Sequence, residues 1–450
     1  MGTFYNCSGL IEIDLSNCTS LTGFGVIAFG SCPNLEELDL SNCTNLTSIG
    51  YMAFGYCIGL DSIILPSSLK NIGEYAFQDC TSLTKVDLSN CISLEGIGDN
   101  AFEGCSGLTS ITLPSSLKNI GEYAFQDCTS LTKVDLSNCI SLEGIGDNAF
   151  EGCSGLTSIT LPSSLTSIGG YAFRDCSGLT SIDLSNCTNL TSIGYMAFGY
   201  CIGLDSIILP SSLTSIGGWA FSNCTGLTSI TLPSSLTSIG DWAFQYCGGL
   251  GTLEYKGTID QWLSIDFGST WMTGTSHTFI VNGEELTNLV VPEGVTSIGD
   301  SAFSGCSGLT SITLPSRLTS IGSSAFYNCS GLTGELVIPE GVTSIGDSAF
   351  YSCSRLTGEL VIPEGVTSIG YSAFYGCGGL TSITLPSSLT SIGYYAFSGC
   401  SGLTSITLPS SLTTIGSYAF ENCTGITSVT INEYVFRNVT SSSSSCGYIL

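Results

Sequence analysis

"LTSITLPSSLKNIGEYAFQDCTS", residues 108–130, contains the pattern that decides the fold of this chain. Residues 110–113 alternate polar and apolar side chains, which is the period of a half-buried β-strand. Further on, Ala124, Phe125 and Cys128 have the spacing that places side chains on one face of a helical turn. The stretch therefore predicts a strand followed by a short helical turn, with the apolar side of each pointing inward.

The Ala-Phe-x-x-Cys motif of this stretch recurs 16 times, at intervals of 23 to 25 residues with one gap of 59. Residues 66–113 are repeated without change at 114–161, and residues 39–69 reappear at 183–213. A fixed period of 20 to 50 residues is the signature of a repeat architecture. A unit this small cannot bury its own apolar face, so successive units must stack into a solenoid, each adding one strand to a parallel sheet.

Stacking explains why the motif always ends in cysteine. Equivalent residues of neighbouring coils lie about 4.8 Å apart, the spacing of paired strands. Cysteine buries readily as a small apolar residue, and side chains that run in parallel do not point at one another as a disulfide requires. We therefore expect an internal ladder of buried free thiols and no metal site. The ladder residues are Cys80, Cys105, Cys128, Cys153 and Cys176.

A longer type of unit reads "LTKVDLSNCISLEGIG" at residues 131–146 and fits the leucine-rich repeat pattern L-x-x-L-x-L-x-x-N/C-x-L. Together with the recurring "LPSSLTSIGxxAFxxC", it resembles the BspA-like leucine-rich repeat proteins over residues 3–431. The resemblance implies an α/β leucine-rich repeat solenoid: a right-handed coil of 23–25-residue repeats with a parallel β-sheet on one face and short helical turns on the other. It also implies adhesion, with no catalytic residue and no cofactor.

The repeat spacing divides the chain into four segments. These are an N-terminal leucine-rich repeat array (1–250), an irregular insertion or variant repeat (251–285), a C-terminal array (286–436) and a flexible Ser-rich tail (437–450). Within the insertion, Thr258 and Gln261 have capping-box spacing, which predicts a short helix through Trp262. Two interpretations of the insertion stay open, an irregular coil or a binding platform. In the platform, Trp271 is expected to be exposed because Gly, Ser and Thr surround it.

Composition and spacing argue against several classes of function. With 36 acidic and nine basic residues and a net charge of −27, the surface should repel nucleic acid. No apolar run reaches the roughly 18 residues of a membrane-spanning helix. The single histidine, His277, has no acidic residue at a spacing that would indicate a catalytic pair, and we expect it in a loop. Asp87 and Asp135 lie two coils apart, roughly 10 Å by strand spacing, which is too far for a glycosidase pair. We expect no enzyme activity.

Stacking also creates rows of exposed side chains. One row on the strand face is partly acidic in the first half of the chain and β-branched in the second. Its composition fits either β-propensity alone or an extended protein-binding face. A second row precedes Ala-Phe and is aromatic, which fits packing or contact with a partner. The candidate ligand-binding residues from these rows and the insertion are Trp262, Trp271, Trp219, Trp242, Val337, Val361, Asp87 and Asp135.

The expected function is a non-enzymatic, adhesin-type binding module, secreted or on the cell surface, that recognises host extracellular protein or glycan through the solenoid face. The alternative is a structural spacer that self-associates end to end through open sheet edges. Nucleic acid and membrane insertion are not expected. The chain opens in the middle of a unit, so we expect a fragment; no leader or anchor is visible in it.

Overall fold

The computed structural model describes residues 2–268, 270–272, 276–431 and the backbone of 440–441. It divides into two compact units. The first comprises Met1–Leu236 with Ala243–Leu250, and the second comprises Thr237–Trp242 with Gly251–Leu450. Nearly all of the predicted tail, 437–450, and residues 432–436 of the predicted C-terminal array lie outside the described residues.

Each regular coil of the first unit contributes two short strands, numbered here in chain order. The odd-numbered strands are β1 (Glu37–Asp39), β3 (Ser62–Ile64), β5 (Lys85–Asp87), β7 (Ser110–Thr112), β9 (Lys133–Asp135), β11 (Ser158–Thr160), β13 (Ser181–Asp183), β15 (Ser206–Ile208) and β17 (Ser229–Leu232). The even-numbered strands are β2 (Ser48–Ile49), β4 (Asn71–Ile72), β6 (Gly96–Ile97), β8 (Asn119–Ile120), β10 (Gly144–Ile145), β12 (Ser167–Ile168), β14 (Ser192–Ile193) and β16 (Ser215–Ile216). Odd strands pair with odd and even with even, always in parallel.

The second unit continues the numbering and holds the only α-helix among the described residues. Its elements are β18 (Ser238–Ile239), β19 (Thr252–Tyr255), α1 (Ile259–Leu263), β20 (Asp266–Phe267), β21 (Thr278–Val281), β22 (Glu284–Glu285), β23 (Asn288–Val290), β24 (Ser297–Ile298), β25 (Ser311–Thr313), β26 (Ser320–Ile321), β27 (Ser344–Ile345), β28 (Gly358–Val361), β29 (Ser368–Ile369), β30 (Leu380–Thr384), β31 (Ser391–Ile392), β32 (Ser405–Thr407), β33 (Thr414–Ile415), β34 (Ser428–Thr430) and β35 (Thr440–Ser441). Strands β24, β26, β27, β29, β31, β33 and β35 form one seven-stranded sheet. Strands β21 and β22 pair antiparallel.

The prediction of one strand and one helical turn per coil was wrong in two respects. Each regular coil has two strands, and the Ala-Phe segment forms hydrogen-bonded turns rather than a helix. Tyr123 and Asp127 have φ of 57° and 56°, in the left-handed region. An α-helix requires consecutive right-handed residues, so these two positions interrupt it. They also direct N–H groups along the stack, and the Tyr123 amide donates to the Asp147 carbonyl of the next coil at 2.9 Å.

The inward direction of the Ala-Phe-x-x-Cys side chains was predicted correctly. Ala124, Phe125 and Cys128 have no solvent exposure. Phe125 stacks between Phe102 and Phe150, with ring centroids 5.4 and 5.2 Å away and interplanar angles of 3° and 12°. The Phe125 amide donates to the Ala149 carbonyl at 2.8 Å. The core of each unit is therefore a set of side-chain ladders along the stack, in which every coil contacts its neighbours.

Glycine is required where consecutive coils approach most closely. A Cβ atom on Gly146 would lie 2.6 Å from the Gly121 carbonyl carbon, and one on Gly121 would lie 2.7 Å from that of Gly98. Neither contact can be relieved by a side-chain rotation because the opposing atoms belong to the backbone. By contrast, a Cβ on Gly144 would meet only the Ser167 hydroxyl, at 3.3 Å.

We expect Gly146→Ala to destabilise the first unit by about 1–3 kcal/mol, because two coils must move apart to admit the methyl group. Urea unfolding followed by circular dichroism measures the change. Gly144→Ser is the matched control, since other coils carry serine at this register. An equal loss of stability in both variants would contradict the close approach of the coils at Gly146.

Candidate functional surfaces

Trp262 lies on α1, whose start follows the predicted capping box. The Thr258 hydroxyl accepts a hydrogen bond from the Gln261 amide at 3.3 Å, and the Gln261 side chain accepts one from the Thr258 amide at 2.9 Å. The Trp262 side chain is 0% exposed. Its ring packs against Tyr255 at 5.1 Å and Phe279 at 4.8 Å. The helix prediction is confirmed, but Trp262 is a core residue and offers no surface to a ligand.

Trp271 was expected to be exposed, and this prediction was wrong. Its side chain is 1% exposed and stacks on Phe267 at 5.3 Å. The indole Nε1 donates to the Ser301 carbonyl at 3.0 Å, and that of Trp262 donates to the Ala302 carbonyl at 2.9 Å. The Gly, Ser and Thr residues beside Trp271 in the sequence therefore gave no indication of its burial. The ring is covered by Phe267 and Trp262 of the insertion, and its indole bonds to the Ser301 backbone thirty positions away.

Trp219 and Trp242 occupy the position before Ala-Phe, and both are half-buried. Their φ angles are 58° and 54°, so the backbone is left-handed at this position as it is at Tyr123. Their rings lie neither in the core nor fully in solvent. Intermediate burial is compatible with either packing or contact with a partner, and the role of these two tryptophans stays a prediction.

The acidic row of the first unit is exposed and has a local structural role. The Asp87 carboxylate accepts a hydrogen bond from the Ser89 amide at 3.0 Å, and Asp135 accepts one from Ser137 at 3.0 Å. Hydrogen bonds from these serines lower the pKa of both carboxyl groups. Aspartate thus closes the turn after the strand, as Asx turns commonly do. Asp87 and Asp135 are separated by an intervening coil, because Asp87 pairs with Thr112.

The corresponding row of the second unit is apolar. Val290, Val337 and Val361 are 66%, 70% and 43% exposed. Val290 pairs with Thr313, and Val361 pairs with Thr384. We call these five residues the valine row. Four of them lie on strands β23, β25, β28 and β30, and Val337 occupies the position equivalent to Val361 in a stretch outside the strands. The other large aliphatic side chains in the described part of this unit are mostly buried.

The five ladder cysteines are buried free thiols in the structure. Each thiol donates to the backbone carbonyl of a phenylalanine in the preceding coil. The distances are 3.3 Å for Cys80 to Phe54, 3.1 Å for Cys105 to Phe77, 3.3 Å for Cys128 to Phe102, 3.1 Å for Cys153 to Phe125 and 3.2 Å for Cys176 to Phe150. Burial raises the pKa of all five above its ordinary value. They therefore stay protonated and act as weak hydrogen-bond donors between coils.

His277 was expected in a loop; it lies just before β21, outside the named strands, and is buried. Its side chain is 2% exposed, and its backbone forms a parallel bridge with Cys306. The imidazole Nε2 lies 3.9 Å from the Cys306 sulfur. Among the described residues, no group of three or more His, Cys, Asp or Glu side chains is placed to hold a metal ion.

The repeated coils match a known protein family. The profile described as "BspA type Leucine rich repeat region" matches six times, at residues 1–131, 47–153, 82–203, 143–270, 276–359 and 357–446. The chain belongs to the BspA-type leucine-rich repeat family. Membership accounts for the stacked coils and their recurring leucines. No match was found among curated proteins.

Several solved structures are similar to this chain. A leucine-rich repeat protein from Bacteroides ovatus is 30% identical, with 86% of this chain and 88% of that chain covered and a TM-score of 0.57. One from Eubacterium ventriosum is 24% identical, with coverages of 77% and 86% and a TM-score of 0.46. A leucine rich cell surface protein from Faecalibacterium prausnitzii is 23% identical, with coverages of 92% and 87% and a TM-score of 0.35.

The BspA-type coils of the second unit also carry a tyrosine cluster that the sequence analysis did not identify. Tyr327, Tyr351 and Tyr375 each follow an Ala-Phe pair, and their rings stack at 4.7 and 4.6 Å. Tyr395 continues the cluster, 6.2 Å from Tyr375. The sequence does indicate this cluster, because tyrosine directly follows Ala-Phe in three successive coils. The predicted aromatic row concerned the residue before Ala-Phe and therefore did not include these tyrosines.

In this BspA-type chain, no helix of the described residues is long and apolar enough to cross a bilayer.

Proposed function

We propose that this protein is a non-enzymatic binding module, secreted or held on the cell surface, that recognises a host extracellular protein or glycan through the strand face of its second unit. The observation that carries the proposal is the valine row. Packed proteins bury most large aliphatic side chains, so three exposed valines at one register position favour an interaction surface. Family membership supports the same conclusion, because repeat solenoids present extended faces to partners.

The revised positions of the tryptophans support the strand face over the insertion. Trp262 and Trp271 were the strongest reason to place binding at 251–285, and both fill the core. Asp87 and Asp135 are engaged in their own turns. Of the apolar candidates first drawn from the sequence, Val337 and Val361 have the largest exposed fractions.

The test is equilibrium binding of the full chain to a panel of immobilised extracellular matrix proteins and glycans. Val337→Asp/Val361→Asp should weaken saturable binding at least about tenfold, because two carboxylates would lose hydration in the interface. Thr112→Asp/Thr160→Asp is the matched control, since the same row in neighbouring coils carries Asp87 and Asp135. This control should bind as the wild type does.

Saturable binding that survives Val337→Asp/Val361→Asp would move the site away from the valine row. A chain that binds nothing on the panel would favour the structural spacer, in which the open edges of the sheets associate end to end. Sedimentation of the same samples would then show concentration-dependent association.

A further inference from the structure

The second unit has an aromatic surface that is separate from the valine row. It lies on the turns around Ala-Phe, whereas four of the five valine-row residues lie on strands. We call it the tyrosine patch. Its members are Tyr327, Tyr351, Tyr371, Tyr375, Tyr394, Tyr395 and Tyr418. None of them is buried, and Tyr371 and Tyr418 are 47% and 52% exposed.

The rings of the patch contact one another across coils. Tyr371 and Tyr394 stack at 5.7 Å with an interplanar angle of 8°. Tyr395 and Tyr418 stack at 5.1 Å and 13°, and Tyr394 meets Tyr395 edge-on at 4.2 Å. Mutual packing holds the rings in place while leaving part of each in solvent. A rigid aromatic surface binds a partner at low cost in side-chain entropy.

The first unit shows what side chain this kind of surface accepts. The Arg174 guanidinium lies 5.9 Å from the centroid of the Tyr171 ring and 5.6 Å from that of Tyr200. It also forms ion pairs with Glu151 at 2.8 Å and Asp175 at 3.3 Å. Arg174 follows an Ala-Phe pair, the same register position that Tyr327, Tyr351 and Tyr375 hold in the second unit. Within this fold, tyrosine rings and neighbouring carboxylates thus bind a guanidinium together.

Carboxylates accompany the tyrosine patch as well. The exposed Asp347 side chain accepts the amide N–H of Tyr371 at 2.6 Å. A hydrogen bond with Tyr394 raises the pKa of Tyr395 to about 12, and the negative charge of Glu421 adds to this effect. The whole chain carries a net charge of −27. An acidic protein with electron-rich rings on its surface is complementary to a cationic partner.

We propose that the tyrosine patch binds an arginine-bearing basic segment of a partner protein, with guanidinium groups on the tyrosine faces and carboxylates at the margin. Arginine is favoured over lysine because its planar, weakly hydrated group stacks on rings. A neutral sugar would also stack on tyrosine but would leave Asp347 and Glu421 without a charged partner. The inference deepens the proposed binding function by naming a partner class, but it does not depend on the valine row.

The experiment measures binding of a labelled peptide of alternating Arg and Gly to the full chain by fluorescence anisotropy at low ionic strength. A Lys/Gly peptide of the same length and charge is the comparison probe. The main variant is Tyr351→Ser/Tyr375→Ser/Tyr395→Ser. Serine already occupies these register positions in other coils, at Ser304, Ser398 and Ser372. Tyr123→Asn is the control, since Asn100 and Asn148 hold that position in adjacent coils.

We expect saturable, salt-sensitive binding of the arginine peptide and weaker binding of the lysine peptide. The triple serine variant should bind the arginine peptide at least about tenfold more weakly and lose the preference over lysine. Tyr123→Asn and Val337→Asp/Val361→Asp should both bind as the wild type does. Unchanged peptide binding by Val337→Asp/Val361→Asp separates this inference from the strand-face proposal, because each proposal can then be wrong independently of the other.

Equal affinity for the two peptides would overturn the inference, since it would reduce binding to attraction by the net charge. Unchanged affinity in the triple serine variant would overturn it as well. Should that variant lose its cooperative melting transition, Tyr351→Leu/Tyr375→Leu keeps apolar volume while removing the rings. It must show the same loss of arginine selectivity, and retained selectivity would contradict the proposal.

Discussion

Replacing Phe125 with alanine should lower the free energy of unfolding of the first unit by about 3–5 kcal/mol, which is typical of a buried phenylalanine. The ring has no exposed surface and contacts Phe102 and Phe150 in a continuous stack. Removing it leaves a cavity that the neighbouring coils cannot close, because their backbones are held by inter-coil hydrogen bonds such as that from Phe125 to Ala149.

Urea unfolding followed by circular dichroism measures this effect. Thr112→Ala is the control, because this exposed residue should change the free energy of unfolding by no more than about 0.5 kcal/mol. Phe125→Ala should also broaden the unfolding transition, since a solenoid is stabilised by contacts between neighbouring coils. A Phe125→Ala chain as stable as the control would contradict the phenylalanine ladder.

Trp262→Ala is the second large effect, again about 3–5 kcal/mol, now in the second unit. The variant loses the ring contacts with Tyr255 and Phe279, and it leaves the buried Ala302 carbonyl without the indole donor at 2.9 Å. An unsatisfied buried carbonyl adds its own desolvation cost. Thermal melting and urea unfolding report the loss.

Trp262→Phe is the matched variant, since it keeps one aromatic ring and removes the five-membered ring of the indole with its N–H. It should lie between the wild type and Trp262→Ala in stability. Trp219→Ala, at a half-buried position, should cost less than either Trp262 variant. If Trp262→Ala reduced binding to the panel while melting as the wild type does, the tryptophan would be a ligand contact and its place in the core would be wrong.

The sequence predicted features that depend on repetition. Stacked coils, inward Ala-Phe-x-x-Cys side chains and the parallel strand over 110–112 all follow from the period and the apolar pattern. The capping box of Thr258 and Gln261 was also readable, because it is defined by two residues three apart.

Other features depend on backbone conformation, which the apolar pattern does not encode. Spacings of three and four residues in Ala124, Phe125 and Cys128 suit a helix, yet left-handed φ angles at Tyr123 and Asp127 produce turns with the same inward face. Tyrosine rarely adopts this region, so the position of Tyr123 gives little signal. Aspartate, asparagine and glycine adopt it more readily, and the position of Asp127 holds Asp79, Gly104 and Asn223 in other coils, a signal that the helix prediction did not use. The two-residue strand at Asn119–Ile120 is too short to give a periodic signal.

Burial within the insertion could not be predicted because it depends on how the aromatic residues of the insertion pack on one another and on the following coil. The Trp271 indole donates to Ser301, and the Trp262 indole to Ala302, both from a different coil. Glycine, serine and threonine around Trp271 indicated a polar loop and described only its local sequence. The tyrosine patch was found only in part: Tyr395 and Tyr418 belong to the aromatic row before Ala-Phe, whereas the other members come from two further register positions.

The most direct test of the central claim, that the most strictly repeated residues form an interior ladder, is alkylation of the native chain followed by mass spectrometry. The chain has 23 cysteines. In native protein, Cys80, Cys105, Cys128, Cys153 and Cys176 should remain unmodified, because burial excludes the reagent and raises each pKa. Partly exposed Cys7, Cys18 and Cys423 should react first; Cys446 lies outside the described residues. After denaturation without reductant, all 23 should react. Rapid alkylation of Cys128 in the folded protein, or ladder cysteines found in disulfides, would contradict the account.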